Sequence, residues 1–256
     1  MTEMYDDPDN VETTFNEENL SEYLIQAKWA EMVELKKSLH EIYLMKGRNL
    51  DLLDIGIGDG RVPKHLSKID EIWETIRKYD AIDIAQNCVD LSTKLVEDKG
   101  IQDKVNVHLL DAVNLDVLPD HYDVIISTWF TVGNFYPDRF SFEELTLGFD
   151  LDNNEKFETI FRKAYTKLRT GGEIIIGSLF IDNEPTRRKQ EEAYRNFGWT
   201  IITDERDSYT ASEEGWWSQR FTRQRLYDYL SFVPREKISF IPLDTYDFSM
   251  MVRIRK

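Results

Sequence analysis

The sequence predicts an α/β protein with three layers, in which helices cover both faces of a mainly parallel sheet. Residues 50–55 form a short, almost continuously apolar segment, which is typical of a strand buried on both faces. Such segments alternate with helical patterns over residues 48–180, and this alternation favours a parallel sheet. Two further strand-like segments, at 237–243 and 248–254, flank a polar turn at 244–247. We therefore expect a seven-stranded sheet that ends in an antiparallel hairpin.

Composition limits the classes of protein that fit. The chain has 256 residues, enough for one α/β domain with a full core. Its 48 acidic and 32 basic residues give a net charge of −16, which opposes nucleic-acid binding. Cys88 is the only cysteine, which excludes an intrachain disulfide and cysteine-type zinc sites, and no metal site is predicted. No signal-like start or long apolar run is present, so we expect a cytoplasmic protein with no membrane partner.

A glycine-rich turn follows the first predicted strand. Gly56, Gly58 and Gly60 alternate immediately before a helical segment. Because glycine lets the chain turn sharply and lets a ligand approach the backbone, the turn is a candidate ligand site. A tight connection without a ligand is the alternative. Dinucleotide sites have the spacing G-x-G-x-x-G, and the carboxylates of Asp54 and Asp59 would repel a diphosphate. The turn therefore favours a cationic ligand.

The acidic residue followed by G-x-G-x-G resembles the first motif of the class I S-adenosylmethionine-dependent methyltransferases. The resemblance covers residues 48–180 motif by motif and residues 221–256 by pattern. It implies a Rossmann-like methyltransferase fold and S-adenosyl-L-methionine as cofactor, a ligand with an ammonium, a sulfonium and no phosphate. A helix, then Gly171 and Gly172, then an apolar strand also fits the family. We expect these two glycines to form a left-handed helix stop.

Two further strand ends add to the expected cofactor site. Asp83 lies near the end of the second predicted strand, about 20 residues past the glycines, where a carboxylate can accept hydrogen bonds from both ribose hydroxyls. By the resemblance, Asp111 receives the adenine amino group and the amide of Ala112 faces the ring. A solvated strand-end or turn aspartate is the alternative reading of each carboxylate. The residues predicted to bind the cofactor are Asp54, Gly56, Gly58, Gly60, Asp83, Ile84, Asp111, Ala112 and Thr128.

The methyl acceptor is expected beyond the fourth strand, residues 122–127, because ligands of open α/β sheets lie beyond the carboxyl ends of the strands. The loop after this strand, residues 128–137, lacks the Asn/Asp-Pro-Pro-aromatic motif usual in enzymes that methylate nucleobase amines or glutamine amides, which disfavours those acceptors. An insert at 181–220 carries aromatic and acidic residues that either bind an amine or pack as an ordinary cap. The residues predicted to bind substrate are Trp129, Tyr136, Tyr209 and Trp216.

The N-terminal 47 residues are predicted to form a mobile segment and a helical lid. Residues 1–18 contain few apolar groups to offset the entropy of ordering. From Leu20 onward, apolar residues recur at helical spacing as one long helix or two joined by a bend. This helix either covers the sheet edge or, as in the resembling family, closes over the cofactor and substrate. The rest, residues 48–256, forms the cofactor-binding domain.

Three functional hypotheses follow. The leading one is a methyltransferase acting on the nitrogen or oxygen of a small molecule, a reaction that depends mainly on alignment. A cofactor-binding module without catalysis, whose insert is an interaction surface, is the alternative. A nicotinamide oxidoreductase is disfavoured by the glycine spacing and by Asp59. The four histidines are expected to be structural, so no catalytic base is assigned, and the oligomeric state is left open.

Overall fold

The computed structural model describes residues 4–119, 121–135, 154–243 and 247–256. The helices are α1 (Pro8–Phe15), α2 (Glu22–Lys46), α3 (Arg61–Leu66), α4 (Asp70–Trp73), α5 (Gln86–Lys99), α6 (Glu155–Lys167), α7 (Glu184–Asn196) and α8 (Arg223–Tyr229). The strands are β1 (Leu50–Ile55), β2 (Ile76–Asp83), β3 (Val105–Leu109), β4 (Tyr122–Ser127), β5 (Leu168–Phe180), β6 (Tyr209–Ala211), β7 (Trp217–Gln219), β8 (Ile238–Pro242) and β9 (Ser249–Arg255).

Seven strands form the main sheet in the order β3-β2-β1-β4-β5-β9-β8. The first five are parallel to one another, whereas β9 is antiparallel to both β5 and β8. The predicted mainly parallel sheet with a terminal antiparallel hairpin is therefore confirmed. Most of the predicted turn of this hairpin, residues 244–246, lies outside the described residues.

Both faces of β1 are covered, as its apolar sequence predicts. All six residues of the strand are buried. On one face, Leu53 and Ile55 belong to a core that includes residues of α6 and α8. On the other face, Leu50 and Leu52 pack in a core that includes residues of α2. The three layers follow from this alternation, because successive side chains of a strand point to opposite faces.

The N-terminal region contains one uninterrupted long helix. The sequence left open whether residues 20–43 form one helix or two, and the structure has a single α2 of 25 residues. The helix ends at Gly47, which has a left-handed φ of 63°. Before it, α1 and two short 3-10 helices (Met4–Asp6 and Glu17–Asn19) occupy the segment expected to be mobile without ligand. That mobility stays a prediction.

The role expected for Gly171 and Gly172 was wrong. Helix α6 ends at Lys167, and the next residue, Leu168, is already extended, with φ −69° and ψ 141°. Gly171 has a φ of 70° but lies within β5. A Cβ on Gly172 would lie 2.8 Å from the carbonyl oxygen of Asp123. The second glycine is therefore required by the close approach of β5 to β4.

The insert after β5 contains α7 and a separate two-stranded antiparallel sheet of β6 and β7. No helix in the described part of the chain is long and apolar enough to cross a membrane.

Candidate functional site

A cleft opens at the carboxyl ends of β1 to β4, where the sequence predicts the cofactor site. Its walls come from the glycine turn, the strand ends, the N-terminal segment and the start of α6. The lining residues are Tyr5, Phe15, Ile55, Gly56, Ile57, Gly58, Asp59, Arg61, Val62, Ile82, Asp83, Ile84, Cys88, Leu110, Asp111, Ala112, Thr128, Trp129, Thr131, Asn134, Phe135, Lys156 and Ile160.

Two of the three motif glycines line this cleft. Gly56 and Gly58 have φ values of 79° and 56°, which glycine adopts readily. A Cβ on Gly56 would lie 2.3 Å from Cγ2 of Thr131, and one on Gly58 would lie 2.9 Å from Cζ of Phe15. Gly60 faces away from the cleft, because it packs against α5. The structure therefore places Gly60 in the turn but outside the lining.

Asp83 is fixed at the wall of the cleft by two backbone amides. Its Oδ2 accepts a hydrogen bond from Gly58 N at 2.9 Å, and its Oδ1 accepts one from Ala85 N at 3.0 Å. Burial raises the pKa of this carboxyl, and hydrogen bonds from the backbone amides of Ala85, Gly58 and Ile84 oppose the rise. The bonds set the orientation of the carboxylate before any ligand arrives.

Asp54 lies behind the cleft rather than on its surface. The hydroxyl of Tyr79 donates a hydrogen bond to its Oδ2 at 2.6 Å. Its Oδ1 is buried without a hydrogen-bond partner among the described residues. Burial raises the pKa of Asp54 to about 7, although the Tyr79 hydrogen bond and the charge of Arg61 act in the opposite direction. A buried carboxyl with a raised pKa therefore lies near the end of β1, two residues before Gly56.

The cleft also contains Asp111 and Ala112, which were predicted to contact adenine, and Ile84, which was predicted to bind the cofactor. Asp111 caps the 3-10 helix Ala112–Val117, and its Oδ1 accepts a hydrogen bond from Val113 N at 3.0 Å. Ala112 is buried beside it. Ile84 lines the cleft, yet 39% of its surface is exposed. This part of the cleft thus offers an apolar surface beside a carboxylate.

The loop after β4 has an unusual backbone. Trp129 and Phe130 are consecutive non-glycine residues with left-handed φ values of 55° and 59°. The ring of Phe130 stacks on that of Phe180 at a centroid distance of 3.8 Å. Thr128, predicted to bind the cofactor, and Trp129, predicted to bind the substrate, both line the cleft. Tyr136 lies outside the described residues.

Arg61 is the main lining residue that the sequence reasoning missed. It directly follows the last motif glycine and is only 5% exposed. Its Nη2 donates a hydrogen bond to Oε1 of Glu31 at 2.6 Å, whereas its Nη1 is buried with no partner in the described structure. The guanidinium carbon lies 5.3 Å from the centroid of the Trp129 ring. Its position directly after the last motif glycine is the feature of the sequence that could have identified it as a lining residue.

The N-terminal segment covers the cleft with two aromatic rings. Tyr5 and Phe15 stack at 5.6 Å, and the edge of Tyr5 meets Trp216 of the insert at the same centroid distance. Asn87 of α5 donates hydrogen bonds to the backbone carbonyls of Tyr5 and Asp6, both at 2.9 Å. Neither ring was predicted, although both are aromatic residues in an otherwise polar segment.

The structure places Tyr209 and Trp216 away from the lining of the cleft. Tyr209 is 1% exposed and stacks on Trp217 at 4.2 Å. Trp216 is 4% exposed and stacks on Trp199 at 3.9 Å. Aromatic packing within the insert therefore uses both side chains, and Trp216 reaches the cleft only through Tyr5.

No family model matches the sequence, and no curated protein matches it. Solved structures do. A 1,6-didemethyltoxoflavin-N1-methyltransferase from Burkholderia thailandensis, with 1,6-didemethyltoxoflavin and S-adenosylhomocysteine bound, is 15% identical; the match covers 89% of this chain and 80% of that chain, at a TM-score of 0.52. An S-adenosylmethionine-dependent methyltransferase from Clostridium acetobutylicum is 9% identical, with 96% of each chain covered and a TM-score of 0.58. Another from Methanosarcina mazei is 14% identical, with 82% and 93% covered and a TM-score of 0.52.

These similarities extend over most of the chain and concern the fold. The shared fold is a mainly parallel seven-stranded sheet with an antiparallel edge pair and flanking helices. The chain has the fold of the class I S-adenosylmethionine-dependent methyltransferases.

Proposed function

We propose that the protein is a methyltransferase that uses S-adenosyl-L-methionine to methylate the nitrogen or oxygen of a small molecule. The observation that carries the proposal is the Asp83 carboxylate, which the glycine turn holds at the cleft wall through Gly58 N. Such a carboxylate can accept hydrogen bonds from ribose hydroxyls. The fold supports the same cofactor class, because several solved structures similar to this chain are S-adenosylmethionine-dependent methyltransferases.

Two of the unpaired buried polar atoms, one on Arg61 and one on Asp54, fit the amino-acid part of this cofactor. Nη1 of Arg61 is a cationic donor and Oδ1 of Asp54 is an acceptor, and both lack partners among the described residues. A ligand carboxylate suits the first. The second lies behind the cleft wall, where the ionised carboxylate of Asp54 would favour a ligand ammonium through its charge. Ile84 would contact the adenine face, and Asp111 with Ala112 its edge. When bound, the cofactor supplies a methyl group activated by a sulfonium.

The remaining lining residues would align the acceptor and exclude water. The rings of Tyr5, Phe15 and Trp129 surround the cleft near the glycine turn. We assign the closing role to the N-terminal 47 residues and to the insert at 181–220, which meet where Tyr5 contacts Trp216. None of the four histidines belongs to the lining as described, so a neutral amine, which needs no strong base, is the simplest acceptor.

A small-molecule acceptor also agrees with the net charge of −16, which disfavours nucleic acid. The Burkholderia structure, with its bound 1,6-didemethyltoxoflavin, supports the same acceptor class. The cytoplasm is the proposed compartment, since the single cysteine allows no intrachain disulfide.

Calorimetry with S-adenosylhomocysteine tests the cofactor assignment. We expect binding at micromolar strength, together with a ligand-dependent rise in Tm. Absence of both heat and thermal shift would remove the proposal. If the ligand binds, transfer of a labelled methyl group from the cofactor to a panel of amines and hydroxyl compounds tests catalysis. Binding without transfer to any of them would favour the non-catalytic module.

A further inference from the structure

Glu31 of α2 is a fully buried carboxylate that joins three elements around the cleft. Its Oε1 accepts the 2.6 Å hydrogen bond from Nη2 of Arg61, at the start of α3. Its Oε2 accepts a 2.8 Å hydrogen bond from Trp129 N, in the loop after β4. Glu31 is 0% exposed and does not itself line the cleft. Each of its oxygens therefore accepts a hydrogen bond from a residue that lines the cleft.

Strand β5 fixes the carboxylate from the opposite side. A Cβ on Gly177 would lie 2.7 Å from Oε2 of Glu31 and 2.9 Å from its Cδ. No side chain larger than glycine fits there unless the carboxylate moves. The site of Glu31 is therefore closed by β5 on one side and by Arg61 and Trp129 on the others.

The Arg61 guanidinium is only partly satisfied by these contacts. Nη2 is bonded to Glu31 and lies 3.4 Å from Oγ1 of Thr128, whereas Nη1 is buried without a partner in the described structure. Buried polar groups nearly always have hydrogen-bond partners, and Arg61 lines the cleft, so its unpaired cationic donor is available to a ligand group. Because the guanidinium is a rigid planar fork, fixing Nη2 also fixes the direction of Nη1.

We propose that Glu31 is a positioning residue, which acts through Arg61 to direct Nη1 at a carboxylate of the bound ligand and through Trp129 N to hold the left-handed turn. This inference rests on the proposed function, since the carboxylate is that of the cofactor's amino-acid part. It makes α2 a component of the binding site and not only a cover. Glu31 touches no ligand atom.

Two ligands that differ only in the amino-acid part test the proposal. S-adenosylhomocysteine contains that part, and 5′-methylthioadenosine lacks it while keeping the adenosine and the sulfur. Glu31→Gln keeps the size of the side chain but removes its charge. We expect it to weaken S-adenosylhomocysteine binding by about tenfold or more, because a hydrogen bond to a charged group is involved. Binding of 5′-methylthioadenosine should change by less than about twofold, which lies within ordinary scatter.

Glu34→Gln is the matched control, because Glu34 lies three residues along α2 and pairs with Lys37 at its surface. It removes the same charge and should change neither affinity. Gly177→Ala reaches Glu31 from β5 without altering any charge. We expect it to reproduce the selective loss, which keeps the test decisive if Glu31→Gln folds poorly.

A double-mutant cycle with Arg61→Gln separates positioning from general destabilisation. If Glu31 acts through Arg61, adding Glu31→Gln to Arg61→Gln should cause no further loss of S-adenosylhomocysteine affinity relative to 5′-methylthioadenosine. Equal losses for both ligands in Glu31→Gln and Gly177→Ala would overturn the inference. Failure of the wild-type protein to bind either ligand would instead refute the proposed function.

Discussion

The amide of Gly58 and the carboxylate of Asp83 form a 2.9 Å hydrogen bond that joins the glycine turn to the end of β2. This bond links the two sequence motifs, 25 residues apart, on which the cofactor site was predicted. The geometry of the turn and the orientation of the carboxylate therefore depend on each other.

Replacement of Asp83 by asparagine should weaken S-adenosylhomocysteine binding by about 10- to 100-fold. The asparagine side chain has one acceptor oxygen fewer than the carboxylate, and it lacks the negative charge that strengthens hydrogen bonds from the ribose hydroxyls. Its amino group would also face one of the two backbone N–H donors. Calorimetry measures the loss. Asp98→Asn removes a charge from the exposed surface of α5 and serves as control. Equal affinities for the Asp83 variant and wild type would contradict the proposed ribose contact.

Gly58→Ala should harm ligand binding more than its backbone strain alone explains. Gly58 and Gly100 have similar φ values, 56° and 65°, but a Cβ on Gly58 meets Phe15 while one on Gly100 meets nothing within 4 Å. Each alanine should lower the free energy of unfolding by about 1–2 kcal/mol through its left-handed backbone. Only Gly58→Ala should also weaken S-adenosylhomocysteine binding, measured by calorimetry beside urea unfolding. A similar loss of binding in Gly100→Ala would show that the effect is not local.

Ile84→Ala should reduce cofactor affinity with little loss of stability. Ile84 and Leu91 are almost equally exposed, at 39% and 40%, but only Ile84 lines the cleft. Losing the apolar contact with adenine should cost about 1–2 kcal/mol of binding, or roughly tenfold in Kd. Leu91→Ala is the matched control. If the two variants bind S-adenosylhomocysteine equally well, Ile84 is not at the adenine.

Ionisation of Asp54 should make stability depend on pH. The pKa of Asp54 is about 7 in the folded protein, well above the value of an unfolded aspartate, about 4. The folded state therefore binds more protons between these pH values, and the free energy of unfolding should fall as the pH rises from about 4 to about 7. Above this window the contribution should be constant.

In Asp54→Asn the free energy of unfolding should change by a few kcal/mol less between pH about 4 and about 7 than in the wild type, because one unit of pKa shift corresponds to about 1.4 kcal/mol. Urea unfolding at several pH values, compared between wild type and variant, measures the difference. Asp90→Asn, at an exposed position on α5, provides the reference for loss of an ordinary carboxylate. An unchanged pH slope in Asp54→Asn would show that Asp54 is ionised throughout the window.

Much of the fold could be predicted because local sequence and tertiary structure agree. The predicted boundaries of β4, residues 122–127, are those observed, since a mostly apolar segment defines this strand. The prediction failed at Gly171 and Gly172. There Gly172 allows the close approach of two neighbouring strands, which spacing along the chain does not reveal.

The cleft was predictable only where a motif supplies its residues. Asp83 and Gly58 come from such motifs, whereas Phe15 and Glu31 approach from the N-terminal region, and their contacts depend on how helices pack. Tyr209 shows the opposite error. Aromatic residues in an insert suggested a substrate wall, but tertiary packing uses this ring inside the insert. Side-chain direction in irregular segments is set by three-dimensional neighbours, which periodicity cannot identify.

The consecutive left-handed residues Trp129 and Phe130 lower the stability of the loop but carry aromatic rings that the cleft and its surroundings use. Such backbone costs about 1–3 kcal/mol at each strained residue, so glycine at either position would relax the loop. A search for heat-resistant variants would therefore select glycine at Trp129 but not at Phe130, because the buried ring of Phe130 contributes more to stability, about 3–5 kcal/mol, than its backbone strain costs. The exchange at Trp129 would delete the ring that lines the cleft. A variant of this loop with a higher melting temperature would therefore lose an aromatic contact with the ligand.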